Sequence, residues 1–317
     1  FAAFISIASV FGICAWIADK KRMPLLHDKA LGIFECILIF FLSAIALVVL
    51  IILDYQTLWI VLLAGLALLF SFILVRTKDF EHTQRLVLPL GLAIISILFL
   101  FWLPSIFPVQ VPIEVTPNYE ISSDIVSNSL EEHSVFFGTG PGTFMFKYHG
   151  PELNQTAFWN TRFDRAATYI QTLLAGTGLF GLIAWGLFFL AIVGVSFLHI
   201  VKKRLEKDWL MSFAFFIPWM MTSLLFFLYS ANLTLLFSFF LFAGLLGALC
   251  LEKEMVISLK KDARLRFLFS AKFVVASVFF VFLIFVTSQR YFAEASFAKA
   301  VRLDRQGADI QEVLDEL

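Results

Sequence analysis

Apolar stretches of about twenty residues recur along this chain, and they constrain its fold more than any other feature. A helix crossing the ~30 Å hydrocarbon core of a bilayer needs ~20 consecutive apolar residues, because each residue advances it by only ~1.5 Å. About eight stretches qualify, at 1–17, 30–53, 57–75, 87–108, 168–200, 209–229, 232–251 and 272–288. Only 15% of the residues are charged and the mean hydropathy is +0.89, whereas soluble domains run near ~25% charged. The expected fold is an all-α polytopic membrane protein with about eight transmembrane helices. The stretch 168–200 is longer than a bilayer requires, so its start is expected to project beyond the lipid.

Charge gives this array a direction. The net charge is zero, which carries no signal of a nucleic-acid partner, and none is expected. The basic residues are unevenly placed, however. The connections 19–29, 76–86, 201–208 and 252–272 hold 17 of the 24 lysines and arginines, while 54–56 and 229–231 hold none. Cytoplasmic connections carry the excess of basic residues, so the first set is expected on the cytoplasmic side of a plasma (inner) membrane. The long loop 109–167 and the tail 289–317 are then expected outside the cytoplasm. Cys14, Cys36 and Cys250 lie within apolar runs without CxxC spacing and read as small buried thiols. The sequence opens at Phe1 within an apolar run and stops at Leu317 within a helical pattern, so it is expected to be part of a longer protein.

The loop 109–167 opens with Pro104, Pro108, Pro112 and Pro117 at and after the end of the preceding span. Each proline biases its predecessor away from helix, so this stretch is expected to be extended or turning. Residues 119–132 suit a surface helix with Ser122 or Ser123 as its N-cap. The loop also carries Phe136, Phe137, Phe144, Phe146, Tyr148, Phe158, Trp159 and Phe163, an aromatic content that argues for order. A connection this long in a compact protein is usually functional or disordered. The junction from Phe136 to Gly194, where this polar loop meets the fifth apolar run, is the expected site.

Within it, Gly138-Thr139-Gly140-Pro141-Gly142-Thr143-Phe144 is glycine-rich but lacks the lysine of a phosphate-binding P-loop. Its glycines permit positive φ and close backbone approach, so it is expected to bend the chain back over the membrane face. Arg162 and Arg165 are spaced to share one side of a helix start. Their guanidinium forks suit phosphate oxygens, although basic residues at an interface also reach for lipid headgroups as a matter of course. Lys147 adds a third cation to the loop. His133 and His149 are the histidines expected outside, and a neutral imidazole there can serve as general base toward a hydroxyl. Glu152 and Asp164 are rival bases. His27, His82 and His199 fall on the other side. No His, Cys or carboxylate spacing suggests a metal site, no Ser–His–Asp arrangement is evident, and no cofactor is expected. Glu35 and Asp54, near the two ends of the second span, are functional suspects because carboxylates in membrane segments are rare.

In the tail, Ala293, Phe297 and Ala300 follow the small–large–small spacing of the second helix of a tetratricopeptide repeat, and Gly307 breaks the helix before Ala308–Leu317. An amphipathic helix leaving the membrane fits the same residues. The expected division is a membrane domain over 1–288 and the beginning of a helical-repeat tail over 289–317, able to dock a protein partner.

The order of these features resembles the O-antigen ligase and polymerase family of membrane glycosyltransferases. The likeness rests on G-T-G-P-G-T-F at 138–144, the aromatic-rich loop, F-D-R-A at 163–166, Tyr169-Ile170-Gln171, and the run Leu174-Ala175-Gly176-Thr177-Gly178-Leu179-Phe180-Gly181-Leu182. That run is similar to the family's Y-L-E-x-L-x-E-T-G-L-x-G-L signature, and the close likeness covers about 60 residues. The resemblance implies metal-independent, inverting transfer of a glycan from an undecaprenyl-diphosphate-linked donor to a hydroxyl of a glycan, lipid or protein acceptor outside the cytoplasm. It implies that arginines hold the diphosphate, for which Arg162 and Arg165 are the candidates here, and Lys147, Tyr169, Gly140, Gly142 and Thr143 are expected to complete the substrate-binding pocket. It also implies a histidine base, for which His149 is the first candidate, with Glu152 and Asp164 behind it. The sequence departs from the family in two places. Ala166, Ala167 and Thr168 stand where His-Asn is usual, and Tyr55-Gln56-Thr57-Leu58-Trp59-Ile60 lacks the arginine of the family's earlier helix start. A membrane protein that binds surface glycan or a partner without transferring is therefore the alternative, and a transporter is the third reading.

Overall fold

The computed structural model describes residues 2–18, 29–75, 83–101, 117–147, 163–202 and 209–250, with scattered positions between 267 and 299. All regular structure among them is helical: α1 (Ala2–Ala18), α2 (Lys29–Leu53), α3 (Gln56–Val75), α4 (Val87–Phe101, preceded by a 3₁₀ turn at Thr83–Leu86), α5 (Tyr119–Glu132), the single turn α6 (Phe144–Lys147), α7 (Tyr169–Lys202), α8 (Trp209–Leu228) and α9 (Leu233–Cys250). Six helices are long and apolar enough to cross a bilayer, over Cys36–Leu53, Gln56–Val75, Gln84–Phe101, Tyr169–Ile200, Met211–Leu228 and Leu233–Cys250. Ala2–Ala18 and Ser270–Val286 are apolar but shorter. The fold is thus that of a helical, multi-pass membrane protein.

The chain divides into two compact units, Phe1–Glu252 and Lys253–Leu317. The second contains the apolar helix Ser270–Val286. The tail positions Ala293, Phe297, Ala300 and Gly307 lie outside the described residues.

In the first unit α8 is the central column, packed against α1, α3, α7 and α9. Phe213, Ile217, Trp219, Leu225 and Phe226 on it are all buried. Its hydroxyls do not disturb this apolar setting, because Thr222 and Ser223 donate back to the carbonyls of Pro218 and Trp219 at 2.8 Å. Such internal bonds satisfy a polar group where neither water nor lipid can. Small residues let helices approach closely: a Cβ on Gly65 of α3 would lie 2.8 Å from Met221 Cγ of α8. The faces turned away from this core are apolar as well, as with Phe34, Ile37 and Phe41 on α2 and Phe237 and Phe240 on α9. A helix apolar all round belongs either in the core of a large protein or across a membrane, and the length of these helices suits the second.

The two ends of the bundle differ. At one end, Asp54 closes α2 with a left-handed φ of 45° and donates its N–H to the Leu50 carbonyl at 2.9 Å, a common way to end a helix. Asp54 therefore reads as a helix terminator. Tyr55 lies edge-on to Tyr229 of the α8–α9 turn, with ring centroids 5.9 Å apart. At the far end, Arg85 donates to the Trp16 carbonyl and stacks over its indole at 5.1 Å, while His199 Nδ1 meets Ser212 Oγ at 3.1 Å across the α7–α8 connection. The side chain of Glu35 lies outside the described residues.

Candidate functional site

The long loop builds a small helical cap at the Asp54–Tyr229 end. Its first helix, α5, is capped by Asn118, whose Oδ1 accepts the Ile121 N–H at 2.7 Å. The expected caps, Ser122 and Ser123, lie one turn further in. Their hydroxyls have partners just before α7 and in its first turn: Ser122 Oγ accepts the Ala167 N–H at 2.9 Å and Ser123 Oγ accepts an N–H of Gln171 Nε2 at 2.9 Å. Asn118 wins the cap because it stands in extended conformation directly before the first helical turn. Beneath α5 the cap has its own core of Ile125, Val126, Phe144, Phe163, Ala166 and Ala175.

α7 starts with a reciprocal capping box. Thr168 Oγ1 accepts the Gln171 N–H, and Gln171 Oε1 accepts the Thr168 N–H, each at 3.2 Å. Its first turn is tied to the bundle, since Tyr169 N–H donates to the Tyr229 carbonyl at 3.1 Å and its ring lies 4.5 Å from Phe226.

About ten residues on, α7 is broken. Gly178 has φ 64° and ψ −162°, a combination that only glycine adopts without strain. The break exposes peptide groups, and the glycine loop takes them up. Thr139 N–H donates to the Ala175 carbonyl at 2.9 Å and Gly140 N–H to the Gly176 carbonyl at 2.8 Å. In the other direction, Leu179 N–H donates to the Val135 carbonyl at 2.9 Å and Phe180 N–H to that of Phe136 at 3.1 Å. The Thr139 hydroxyl adds a bond to the Ala175 carbonyl at 3.1 Å. Beyond the break, Leu179–Lys202 is long enough at ~36 Å to span a bilayer unaided.

Each sequence-predicted residue has a definite place or falls outside the described residues. His149, Glu152 and Arg162 lie outside them, as does the side chain of Lys147, whose backbone ends α6. Asp164 and Arg165 are paired, with Arg165 Nε 3.2 Å from Asp164 Oδ1. Arg165 Nη1 also donates to the Ala231 carbonyl at 3.1 Å, which fastens the cap to the α8–α9 turn. Asp164 is largely exposed and Arg165 about three-quarters covered. Gly140 and Thr143 serve the loop itself: the Thr143 hydroxyl donates to the Gly140 carbonyl at 2.6 Å and lies 2.6 Å from Thr139 Oγ1. Gly142 is a turn residue at φ 76° with no neighbour within 4 Å of a would-be Cβ. Among the described residues no group of three His, Cys, Asp or Glu is placed to hold a metal ion.

Sequence reasoning missed three participants. Gln171 was readable as the closing half of a T-x-x-Q capping box. The break at Gly178 had only a run of glycines to signal it. Ser230, between the two anchoring carbonyls of Tyr229 and Ala231, buries its hydroxyl without a hydrogen-bond partner among the described residues. No sequence signal marks it, since burial alone makes it unusual.

No known protein family, curated protein or solved structure matches this chain.

Proposed function

We propose that this chain transfers or polymerises glycan from an undecaprenyl-diphosphate-linked donor onto an acceptor hydroxyl, outside the cytoplasm, from a plasma (inner) membrane that it crosses about eight times. The observation that carries the reading is the clasp between the glycine loop and the α7 break. Two of the stretches that carry the likeness to O-antigen ligases lie 36 residues apart at Thr139 and Ala175, yet they form one hydrogen-bonded unit. That unit sits at the bundle end whose short connections carry no basic residue.

In this scheme Arg165, oriented by Asp164, joins Arg162 in holding the diphosphate, whose charge grows as the glycosidic bond breaks. The acceptor oxygen attacks the anomeric carbon, the diphosphate leaves, and a base takes the hydroxyl proton. Asp164 is engaged with Arg165, so His149 and Glu152 are the stronger candidates for that base. The membrane domain spans 1–288 and the tail begins a helical repeat.

One observation favours a surface-glycan or partner-binding protein without transfer. Ala166, Ala167 and Thr168, where the family has His-Asn, are committed to the cap core, to Ser122 and to the capping box. A transporter calls for a pair of interrupted helices related by a repeat, and α7 is the one described helix with non-helical backbone inside it.

The test is glycan transfer by the full-length protein in detergent, with a polyprenyl-diphosphate oligosaccharide donor and mixed acceptors, beside Arg162→Ala, Arg165→Ala and His149→Ala. Transfer that disappears in the arginine variants supports the reading. Donor binding without turnover in any acceptor favours the binding-only protein, and no donor binding at all overturns both.

A further inference from the structure

Exposed surface changes character abruptly along the short segment between α5 and the clasp. Glu131, Glu132 and His133 are exposed, and so are Val135, Phe136 and Phe137 immediately after them. Phe136 exposes 53% of its surface and Phe137 70%. Two neighbouring surfaces of such opposite character do not suit one solvent. Charged groups favour water, and a cluster of bare phenyl rings is stable only against something apolar.

The fold says which apolar surface it continues. Phe136 and Phe137 lie against Phe180, with ring centroids 5.4 and 5.2 Å apart. Phe180 is the top of a stripe of exposed residues that runs down α7 through Ile183, Leu187 and Leu190. That stripe is the outward face of a helix long and apolar enough to span a bilayer. The phenyl pair therefore extends the lipid-facing surface of α7 onto the loop. The backbone beneath is suited to that setting. A helix break in contact with lipid is tolerated only where its peptide groups are satisfied by protein, and loop residues 135–140 supply partners to the Ala175 and Gly176 carbonyls before Gly178 and to the Leu179 and Phe180 amides after it.

We propose that the loop 134–138 is a membrane wedge: Phe136 and Phe137 sit in the acyl–headgroup boundary of the bilayer beside Phe180, while the acidic face of α5 remains in water. The occupant of the phenyl patch is lipid. The wedge sets the depth of the clasp and holds the cap down on the membrane. It depends on the chain spanning a bilayer and is independent of the reaction assigned to it.

Photo-crosslinking in lipid nanodiscs of phosphatidylcholine and phosphatidylglycerol tests this directly. Benzoylphenylalanine replaces Phe137, or in a second variant Phe136, in the full chain, and covalent lipid adducts are read by mass spectrometry. The same probe at Leu187, on the exposed α7 stripe, and at Asn128, on the exposed face of α5, brackets the result. Lipid adducts at 136 and 137 within about threefold of the yield at 187, with at least tenfold less at 128, are the expected outcome. Adducts to another segment of the chain or to a second copy, or a yield no higher than at 128, overturn the wedge. Each probe variant must elute as the unmodified protein does. Should position 136 disturb the loop, the more exposed 137 decides.

Discussion

Gly138 and Gly178 stand so close that neither leaves room for a side chain: a Cβ on Gly138 would lie 2.7 Å from the Gly178 nitrogen, and one on Gly178 would lie 2.6 Å from the Gly138 nitrogen. Both also have positive φ. The clasp that joins the cap to the broken helix is therefore built chiefly on backbone, with the Thr139 hydroxyl adding a side-chain bond.

Replacing Gly178 by alanine meets two penalties. The backbone conformation itself costs ~1–3 kcal/mol for a non-glycine residue, and the new methyl would lie 2.5 Å from the Phe136 carbonyl, which cannot withdraw without losing its bond to Phe180. A loss of ~3 kcal/mol or more is expected. Gly186→Ala on the same helix, with nothing within 4 Å, is expected to be neutral or slightly stabilising by ~0.5 kcal/mol. Thermal unfolding of the two variants in one detergent checks this, and equal shifts would mean the clasp contributes nothing.

The capping box predicts a coupling. Thr168→Ala and Gln171→Ala each remove half of a reciprocal pair, at ~1 kcal/mol for a lost cap, so the double variant is expected to lose less than the sum of the singles. Gln171→Glu separates two roles of one side chain. It keeps the acceptor for the Thr168 N–H but removes the Nε2 donor to Ser123 Oγ and the Tyr119 carbonyl. Hydrogen exchange is expected to rise in α5 and not in α8.

Asp164 and Arg165 are expected to part company on substitution. Their pair is exposed on the carboxylate side, so Asp164→Asn should change stability by less than ~1 kcal/mol. Arg165→Ala also removes the bond to the Ala231 carbonyl and should cost ~1–2 kcal/mol. In the transfer assay Arg165→Ala is expected to abolish product, and Asp164→Asn to lower the rate by about tenfold or less. Complete loss in Asp164→Asn at unchanged stability would make Asp164 the base and overturn its role as orienter.

Gly65 tests packing at the centre of the bundle. The neighbour a Cβ would strike is the flexible Met221 side chain, and methionine adapts to filled gaps. Gly65→Ala is expected to cost under ~1 kcal/mol, and Gly65→Leu ~1–3 kcal/mol from overpacking between α3 and α8. Thermal unfolding again reads the difference.

Much of the cap was legible in particular residues. The tyrosine-to-glutamate stretch 119–132 is helical as its pattern suggested, and the F-D-R-A element at 163–166 does lead into the fifth apolar run. The choice of Asn118 over Ser122 and Ser123 was not legible, because both serines satisfy the local rule for a cap. Their hydroxyls are instead taken up by Ala167 and Gln171, 45 and 48 residues further along the chain. Arg165 was readable as a cation at a helix start, but its attachment to Ala231 depends on where the α8–α9 turn comes to rest.

The sequence by itself determined that this is a helical membrane protein and where most of its spans lie, because the length of an apolar run and the thickness of a bilayer are both one-dimensional quantities. It also marked the junction of loop and fifth span as distinctive, through glycine, arginine and aromatic content. Only the tertiary structure decided that the fifth span is two helical segments joined at Gly178. A break in hydrogen-bonded backbone is stable only when another segment supplies the missing partners, and residues 135–140 do so from 36 positions away at Thr139 and Ala175. No local pattern encodes a partner at that distance.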